Sequence, residues 1–521
     1  MRISVTFTGT LDGGDPLSGS NIAGRRTDWL LIISGAAVLA VVAAALALRL
    51  KLRTSVDVAW LLTVGEKVLD GHGLYVNILE TNPPASVLIY WPAILLARAI
   101  GLSPEPVLDI LVVLGAGSSL WLAGRPLAGA GVLRGIAGGP LLAGSAAILL
   151  ILPLHNFAQR EHIAVICLLP ALAVMVARAE KSAPLPWLAA LAGVGTGIAV
   201  AIKPHFLLAV AMPEIYLIVR SRSRRSVLRI ENLAAVAVVL TYALVVLAFF
   251  PAFLTEMLPI VRDVYLPIRH YGAGILTVGP LPIWIATGVG LALCVRARDW
   301  GPRIVVPFLA STGFLAAFLV QGKGWSYHGY PAVALAFLAA GVAIAHKIGT
   351  PEARQGGFAP RTVQMVFCIV LAASVYRAAI WFRDARDLSV LSSAVSRLAR
   401  QPRLVVISAD LSIGHPLVRE IGGQWVARVC SQWITAGVIL QRDEDLDEAT
   451  RLRLEAHAAR DRDILAEDIR SGRPDLILIH EDWLDWTKWA LSDPGLADAL
   501  SSYRRVDTVN DVAIWARSEK S

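Results

Sequence analysis

The sequence contains few charged residues for its length. Asp, Glu, Lys and Arg make up 17% of the 521 residues, and mean hydropathy is +0.61. Soluble domains carry roughly 25% charged residues. Apolar runs long enough to cross a bilayer of about 30 Å recur from Trp29 to Tyr376, and none follows Arg383. An ordinary soluble protein is therefore excluded, and the chain divides into a long membrane part and a polar tail.

Cysteine is also scarce, and familiar nucleotide or metal motifs are missing. Three of the four cysteines lie inside apolar runs and only Cys430 lies in the tail, so we expect no internal disulfide. The tail has no P-loop, nucleophile triad or zinc-ligand spacing. The net charge of +8 comes mainly from short loops between apolar runs, which indicates membrane topology and not nucleic-acid binding.

Charge distribution and span parity predict the topology. The most basic loop, 220–229, belongs in the cytoplasm. Residues 84–98 are apolar but short and rich in proline, so we expect them to lie on the membrane surface. The chain then reads as a disordered cytoplasmic leader (1–28), a mainly α membrane domain (29–382) and a small extracytoplasmic α/β domain (383–521). About eleven spans are predicted, at 29–48, 107–124, 137–154, 163–177, 186–202, 204–219, 232–250, 277–295, 304–320, 331–346 and 362–376.

Three cations at the outer end of the first span oppose this topology. The positive-inside rule predicts few basic residues on the outer side of the membrane, yet this position holds Arg49, Lys51 and Arg53. We expect their side chains to snorkel to phospholipid headgroups.

Polar residues concentrate in the outer segments. With this topology 49–106, 155–162, 203–205 and 251–276 face the same water layer, and 321–330 is a smaller fifth segment. We therefore expect a single site assembled from these segments.

The first outer segment carries the strongest candidate for chemistry. Asp57 stands just past the first span, where a carboxylate can take a proton from a hydroxyl at headgroup depth. Glu80 precedes a rigid Pro-Pro pair and can hold a sugar hydroxyl or assist Asp57. The alternative is that Asp57 is a solvated carboxylate capping a helix that begins at Val58.

This segment resembles the GT-C superfamily of integral membrane glycosyltransferases. The likeness rests on Asp57, the stretch GHGLY (71–75) and the stretch ETNPP (80–84) before an amphipathic segment. The superfamily includes the lipid A aminoarabinose and core galacturonic acid transferases, the protein O-mannosyltransferases and the oligosaccharyltransferases. The resemblance implies that Asp57 is the catalytic base and Glu80 its companion. Relatives of the aminoarabinose type carry Lys where this sequence has Thr81, so a cation for the donor phosphate must come from elsewhere.

The second outer segment opens directly into an apolar helix. Arg160 can grip a phosphate bidentately, and Glu161 matches by position the second acidic motif of GT-C relatives. Glu161 and His162 are a weak metal signal. The alternative is a plain helix N-terminus, with Glu161 complementing the dipole.

Further candidates for binding the donor phosphate or the sugar lie on the remaining outer segments. Lys203 begins a turn that opens the next helix, so it can bind phosphate or simply snorkel. The 251–276 segment is predicted to be a loop that covers the substrate, although basic interfacial loops also attract anionic headgroups. These candidates are Lys203, His205, Arg262, Arg269, His270, Lys323 and His328.

The tail is predicted to be a small α/β unit. Strands at 404–408 and 475–480 flank a charged helix near 444–470, and a hairpin turns around Asn510. Three tryptophans recur at every third residue in 483–489, and Trp425 and Trp433 lie in the same domain. They can stack on sugar rings, but packing of the domain on its own spans at the membrane interface is favoured.

Together these features predict an inverting transfer of sugar from a polyprenyl-phosphate donor to a glycan, lipid or protein acceptor at a bacterial inner membrane. No cofactor is expected, and a divalent metal is compatible with the site but not required. Membrane lipids are expected partners, and nucleic acid is not. The rival functions are a transporter or flippase of a lipid-linked or anionic substrate, and a non-catalytic glycan-binding membrane partner. A transporter needs ionisable residues along its midplane, and the span interiors hold few.

Overall fold

The computed structural model describes residues 17–133, 138–269, 276–277, 279–296, 299–349, 361–383 and 385–518. Its first part is helical, and the tail carries a small mixed sheet, which confirms the predicted fold class. The helices of the first part are α1 (Leu17–Arg49), α2 (Val56–Leu69), α3 (Ala85–Leu88), α4 (Trp91–Ile100), α5 (Pro104–Gly129), α6 (Gly138–Leu150), α7 (Arg160–Ala179), α8 (Pro186–Ile202), α9 (Leu207–Ser221), α10 (Ile230–Phe249), α11 (Leu258–Ile260), α12 (Pro280–Cys294), α13 (Pro302–Gln321), α14 (Ser326–Gly349) and α15 (Arg361–Phe382).

Each of the eleven predicted spans coincides with one of these helices. Within the described residues, seven helices are long and apolar enough to cross a membrane, in α1, α5, α7, α10, α13, α14 and α15. Four shorter apolar helices lie at Ala85–Ile100, Gly138–Leu150, Pro186–Ile202 and Pro280–Cys294. The chain is therefore a multi-pass membrane protein.

The interior of the helical part is centred on α7. Most of α7 is buried, whereas α10 and the described side chains of α1 expose their leucines and valines outward, as lipid-facing helices do. Close packing depends on small residues. A Cβ at Gly195 of α8 would overlap the backbone carbonyl of Cys167 on α7, so only glycine permits this approach.

Two segments differ from their predicted form. α1 begins at Leu17, inside the predicted leader, because a helix already nucleated by an apolar span extends at little cost. Residues 1–16 lie outside the described residues. The predicted loop 251–276 is helical through Tyr265, since π-helical turns at Phe253–Met257 and Val261–Tyr265 flank α11.

The cations after α1 are also placed differently from their prediction. Arg49 donates to the carbonyl of Leu154 at 2.8 Å, and Arg53 lies 3.5 Å from the Glu420 carboxylate. The expectation that Arg49 and Arg53 snorkel to lipid is therefore wrong, because protein groups already neutralise or bind them. Lys51 is exposed.

The tail forms a five-stranded sheet within its described residues. The strands are β1 (Arg403–Ile407), β2 (Gln424–Trp425), β3 (Leu476–His480), β4 (Tyr503–Val509) and β5 (Val512–Arg517), in the order β2-β1-β3-β5-β4. β1 is parallel to both β2 and β3, whereas β5 is antiparallel to both β3 and β4. The helices of the tail are α16 (Ser389–Leu398), α17 (Leu417–Glu420), α18 (Trp433–Leu440), α19 (Glu448–Gly472), α20 (Trp486–Ser492) and α21 (Pro494–Leu500).

The three tryptophans of 483–489 pack on one another within the α/β domain. Trp486 is fully buried and donates to Asp482 at 3.0 Å, with edge-on contacts to Trp483 and Trp489. Trp486 thus belongs to this domain's own core and to neither of the predicted surfaces.

The α/β domain is docked through Arg419 on the end of the helical part that carries α2. This guanidinium donates to both oxygens of Glu66, at 2.6 and 3.1 Å, and to Glu105 at 2.5 Å. The backbone amide of Leu79 donates to the carbonyl of Arg428 at 2.8 Å. These contacts hold the sheet directly above the first outer segment.

Candidate active site

Asp57 lies in the first turn of α2, which begins at Val56, so it does not cap that helix. Its Oδ1 accepts from Arg160 Nη2 at 3.1 Å and from the Tyr327 hydroxyl at 3.4 Å. Its Oδ2 accepts from Gln159 Nε2 at 3.4 Å. The side chain stays 24% exposed, so the carboxylate is held in place yet remains accessible to a ligand.

Glu80 is a buried carboxylate with both oxygens engaged by neutral donors. The Trp60 indole donates to Oε2, while the backbone and side-chain amides of Asn82 donate to Oε1. Among the described residues no cation lies within ion-pair distance of it. The Pro-Pro pair that follows starts α3, which fixes the loop carrying Glu80.

Behind Asp57 lies a buried cluster of charged and titratable side chains. Lys203 Nζ lies 2.5 Å from Glu161 Oε1 and 3.1 Å from His328 Nε2. The side chains of Arg160, Glu161, Lys203 and His328 are all at least nine-tenths buried. Arg160 Nε and Nη1 have no hydrogen-bond partner within the part of the chain that the structure describes. Burying charge is costly without compensation, so these cations and carboxylates hold one another in place.

Two cavities meet at Asp57. The first, here called the Glu80 cavity, has a volume of about 320 Å³ and is lined by Asp57, Glu80, Arg160 and the α/β domain. The second, the Arg53 cavity, has a volume of about 310 Å³ and contains Arg53, His155 and Arg386. Asp57 and Tyr327 line both cavities. A ligand on each side of Asp57 can therefore reach the same carboxylate.

Aromatic side chains form much of the wall of the Glu80 cavity. The Tyr265 ring contacts that of Trp325 in a tilted arrangement at 6.3 Å between centroids, and that of Trp433 edge-on at 6.0 Å. Trp60 and Tyr327 also line this cavity. Such walls suit the apolar faces of a sugar ring. Burial raises the pKa of the Tyr265 phenol, which therefore stays protonated.

The predicted phosphate ligands Arg262, Arg269 and Lys323 do not line either cavity. Arg262 is mostly exposed and pairs with Asp263 at 2.9 Å, and Arg269 is exposed. Lys323 is buried and donates to the carbonyls of Tyr265 and Ile268. Burial lowers the pKa of Lys323 to about 8. Its ammonium fixes the backbone that brings Tyr265 into the Glu80 cavity.

The predicted histidines are placed apart from one another. His162 faces the helix interior, where its ring accepts from the Ala158 amide and contacts the Leu149 carbonyl at 2.7 Å. His205 packs edge-on against Phe206. His328 belongs to the buried charged cluster, and His270 lies outside the described residues. No three His, Cys, Asp or Glu side chains of the described residues converge as metal ligands.

Two groups of lining residues were not predicted as parts of this site, although Trp433 of the second group was a candidate for stacking on sugar rings. Gln159 and Tyr327 stand in outer segments singled out by sequence, but nothing marked them as contacts of Asp57. The other group comes from the α/β domain, in loops 409–412 and 430–433, here called the roof loops. These loops lie at the cavity because of how the α/β domain docks on the helices. Local sequence patterns do not predict such docking.

Comparisons with known proteins agree with this architecture. No protein-family model and no curated protein matches the sequence. Crystal structures of ArnT from Cupriavidus metallidurans, one in the apo state and one bound to undecaprenyl phosphate, match with TM-scores of 0.52 and 0.53 at 13% identity. Both matches cover 94% of this chain and 98% of the ArnT chain. Arabinofuranosyltransferase AftD from Mycobacteria matches at 14% identity over 95% of this chain and 40% of its own, with a TM-score of 0.42 too low to carry an argument. The chain has the fold of ArnT, a GT-C glycosyltransferase, and the resemblance first suggested by 57–84 is confirmed at the level of the fold.

Proposed function

We propose that this protein is an inverting glycosyltransferase that moves a sugar from a polyprenyl-phosphate donor to a glycan, lipid or protein acceptor. The reaction takes place on the extracytoplasmic face of a bacterial inner membrane. The observation that carries the proposal is the position of Asp57, which is bound to Arg160 and opens to both cavities. The GT-C fold supports the reaction class. The ArnT structure with bound undecaprenyl phosphate supports a lipid-phosphate donor.

The donor phosphate is assigned to the Glu80 cavity because Arg160 lies there. This guanidinium is almost completely buried, and its Nε and Nη1 carry hydrogen-bond donors with no partner. A phosphate oxygen satisfies such donors with charge-assisted bonds, which are about twice as strong as neutral ones. The ammonium of Lys203 is already engaged by Glu161, so Arg160 supplies the available positive charge.

The acceptor enters from the Arg53 cavity, on the other side of Asp57. Asp57 takes the proton of the acceptor hydroxyl, and the oxygen attacks the anomeric carbon on the face opposite the phosphate. The bond from the anomeric carbon to the phosphate oxygen breaks, and polyprenyl phosphate leaves with the electron pair. Arg160 stabilises the charge that develops on the leaving group. One displacement inverts the anomeric centre.

Glu80 is assigned to the donor sugar. Trp60 and Asn82 hold its carboxylate rigidly at the cavity wall, so it can accept a hydrogen bond from a sugar hydroxyl without reorganising.

Turnover by purified protein tests this proposal. Full-length protein in nanodiscs is incubated with labelled polyprenyl-phosphate sugars and candidate acceptors, and release of the lipid phosphate is measured with and without EDTA. Asp57→Asn is expected to lower turnover by about 10²–10⁴-fold. Asp70→Asn is the matched control, since Asp70 ends the same helix and pairs with Arg98 on the surface.

Two results would contradict the proposal. Normal turnover in Asp57→Asn would exclude Asp57 as the base. Movement of the intact lipid across the bilayer without sugar release would favour a flippase instead.

A further inference from the structure

The α/β domain presents a particular edge of its sheet to the Glu80 cavity. Strands β2, β1 and β3 are parallel, and the roof loops follow the carboxyl ends of β1 and β2. In open sheets of this kind, ligands bind in the crevice outside the carboxyl ends of the strands. Here that crevice is the upper wall of the Glu80 cavity. The docked domain is therefore part of the site and not merely adjacent to it.

The roof loops offer a hydrogen-bond donor that has no partner among the described residues, and a hydroxyl whose one partner is a weak thiol contact. The indole Nε1 of Trp433 is buried and makes no hydrogen bond, although Trp433 lines the cavity. A buried donor without a partner costs free energy, so a ligand that accepts from it gains affinity. The Ser431 side chain is also buried in this wall, where its hydroxyl lies 3.9 Å from the Cys430 thiol.

The charge of the roof loops identifies what they can bind. Their only charged residue at the cavity is Asp410, whose carboxylate accepts from Arg386 at 3.2 Å and from the Ser412 amide at 2.8 Å. Among the residues that line the Glu80 cavity the one cation is Arg160, which lies on α7 and not on the roof loops. An uncharged sugar ring finds hydroxyls, an indole donor and the aromatic faces of Trp433 and Tyr265.

We propose that the roof loops form the subsite that recognises the transferred sugar, with Trp433 as its specificity-determining residue. This inference rests on the proposed function, because it places the sugar beside a phosphate held by Arg160. Trp433 donates its Nε1–H to a hydroxyl of the ring, and the Ser431 hydroxyl bonds a neighbouring one. The sugar of the donor, and not that of the acceptor, occupies this wall because Arg160 lines the same cavity.

Binding of two lipids that differ only in the sugar tests the subsite. Wild type, Trp433→Phe and Trp515→Phe are compared in nanodiscs for undecaprenyl phosphate and for undecaprenyl-phosphate hexose and pentose. Trp433→Phe keeps an aromatic ring and removes the donor. Trp515→Phe is the matched control, because the Trp515 indole is also buried without a partner but lies on β5, outside both cavities.

We expect Trp433→Phe to lower the affinity for the sugar-bearing lipid that wild type prefers by about tenfold, because one hydrogen bond is lost. Undecaprenyl phosphate itself should bind within about twofold of wild type, and Trp515→Phe should change neither lipid. Ser431→Ala is a smaller change, and it should also lower the affinity for the sugar-bearing lipid only. Thermal melts confirm that each variant is folded.

Several results would overturn this inference. Equal weakening of both lipids would make Trp433 a structural residue. An unchanged donor affinity with a raised KM for the acceptor would assign the wall to the acceptor sugar. If wild type turns over donor and the roof variants do so with unchanged donor affinity, the subsite fails while the proposed function stands. If wild type neither binds nor turns over any sugar-bearing lipid, the proposed function fails and the subsite fails with it.

Discussion

Replacing one partner of the buried Glu161–Lys203 pair should destabilise the protein far more than replacing both. The two charged atoms lie 2.5 Å apart, and the side chains are 0% and 6% exposed. Removing one member of such a pair typically costs about 3–5 kcal/mol because the other charge is left buried, whereas apolar or neutral replacement of both is often close to neutral. His328 lies 3.1 Å from Lys203 and can hydrogen-bond the charged group that remains. We therefore expect each single variant to lose about 3 kcal/mol in free energy of unfolding, the lower end of that range.

The measurement is a double-mutant cycle. Glu161→Gln, Lys203→Met and the double variant are unfolded with SDS in mixed micelles at pH 7, and their free energies of unfolding are compared with wild type. We expect the double variant within about 1 kcal/mol of wild type, which with single effects of about 3 kcal/mol corresponds to a coupling energy of about 5 kcal/mol. Additive single effects, with coupling below about 0.5 kcal/mol, would refute the view that this is a desolvated ion pair.

The same variants separate structure from catalysis. If Lys203 only balances Glu161, the double variant should keep most of its donor turnover. If Lys203 instead binds the donor phosphate, as its position in the sequence suggested, turnover should collapse in a protein that is still stable.

Three further predictions concern the docking of the α/β domain, the Glu80 carboxylate and pH. Arg419→Met removes the cation shared by Glu66 and Glu105 and should loosen docking by about 2 kcal/mol, seen as faster hydrogen exchange in the roof loops without global unfolding. Trp60→Phe deletes a donor to Glu80 and should raise the KM for donor severalfold while kcat changes less, measured by steady-state turnover. Burial raises the pKa of Asp461 to about 6 in the folded domain. The folded state therefore favours the protonated carboxyl, and the free energy of unfolding falls as pH rises from about 4, where the unfolded chain ionises, to about 6. Hydrogen exchange of the α/β domain should show a loss of up to about 3 kcal/mol over this range, absent in Asp461→Asn.

The sequence predicted those features that depend on local composition. Apolar runs place the helices because a bilayer imposes a minimum length on each one. The number of spans needed to keep the basic loops on one side predicted that 84–98 lies on the membrane surface. In the structure this region forms two short helices, α3 and α4. Asp57 and Glu80 were singled out because polar groups at a membrane boundary are few, and their roles stay predictions.

Features that depend on long-range contacts were not predictable. Glu161 pairs with Lys203, which is 42 positions away, and with His328 on a third segment. The spacing of these residues in the sequence therefore does not predict the buried cluster. Lys323 had the same sequence signature as a phosphate ligand, yet its ammonium binds two carbonyls. The roof loops reach the Glu80 cavity only because Arg419 docks the sheet on α2.

The side of the membrane on which these cavities open remains a prediction, and three exposed positions test it. α4 has ten residues, which at 1.5 Å per residue covers only about half of a bilayer, so we expect it not to return the chain to the cytoplasm. The basic loop before α10 then lies inside, while the end of α1 and the α/β domain lie outside. In a variant whose four cysteines are replaced by alanine, single cysteines are introduced as Lys51→Cys, Arg225→Cys and Asp498→Cys. A membrane-impermeant maleimide should label the first and third in intact cells, and Arg225→Cys only after permeabilisation. Labelling of Arg225→Cys alone in intact cells would invert the topology and move Asp57 to the cytoplasmic face, where a lipid-linked donor facing the periplasm is out of reach.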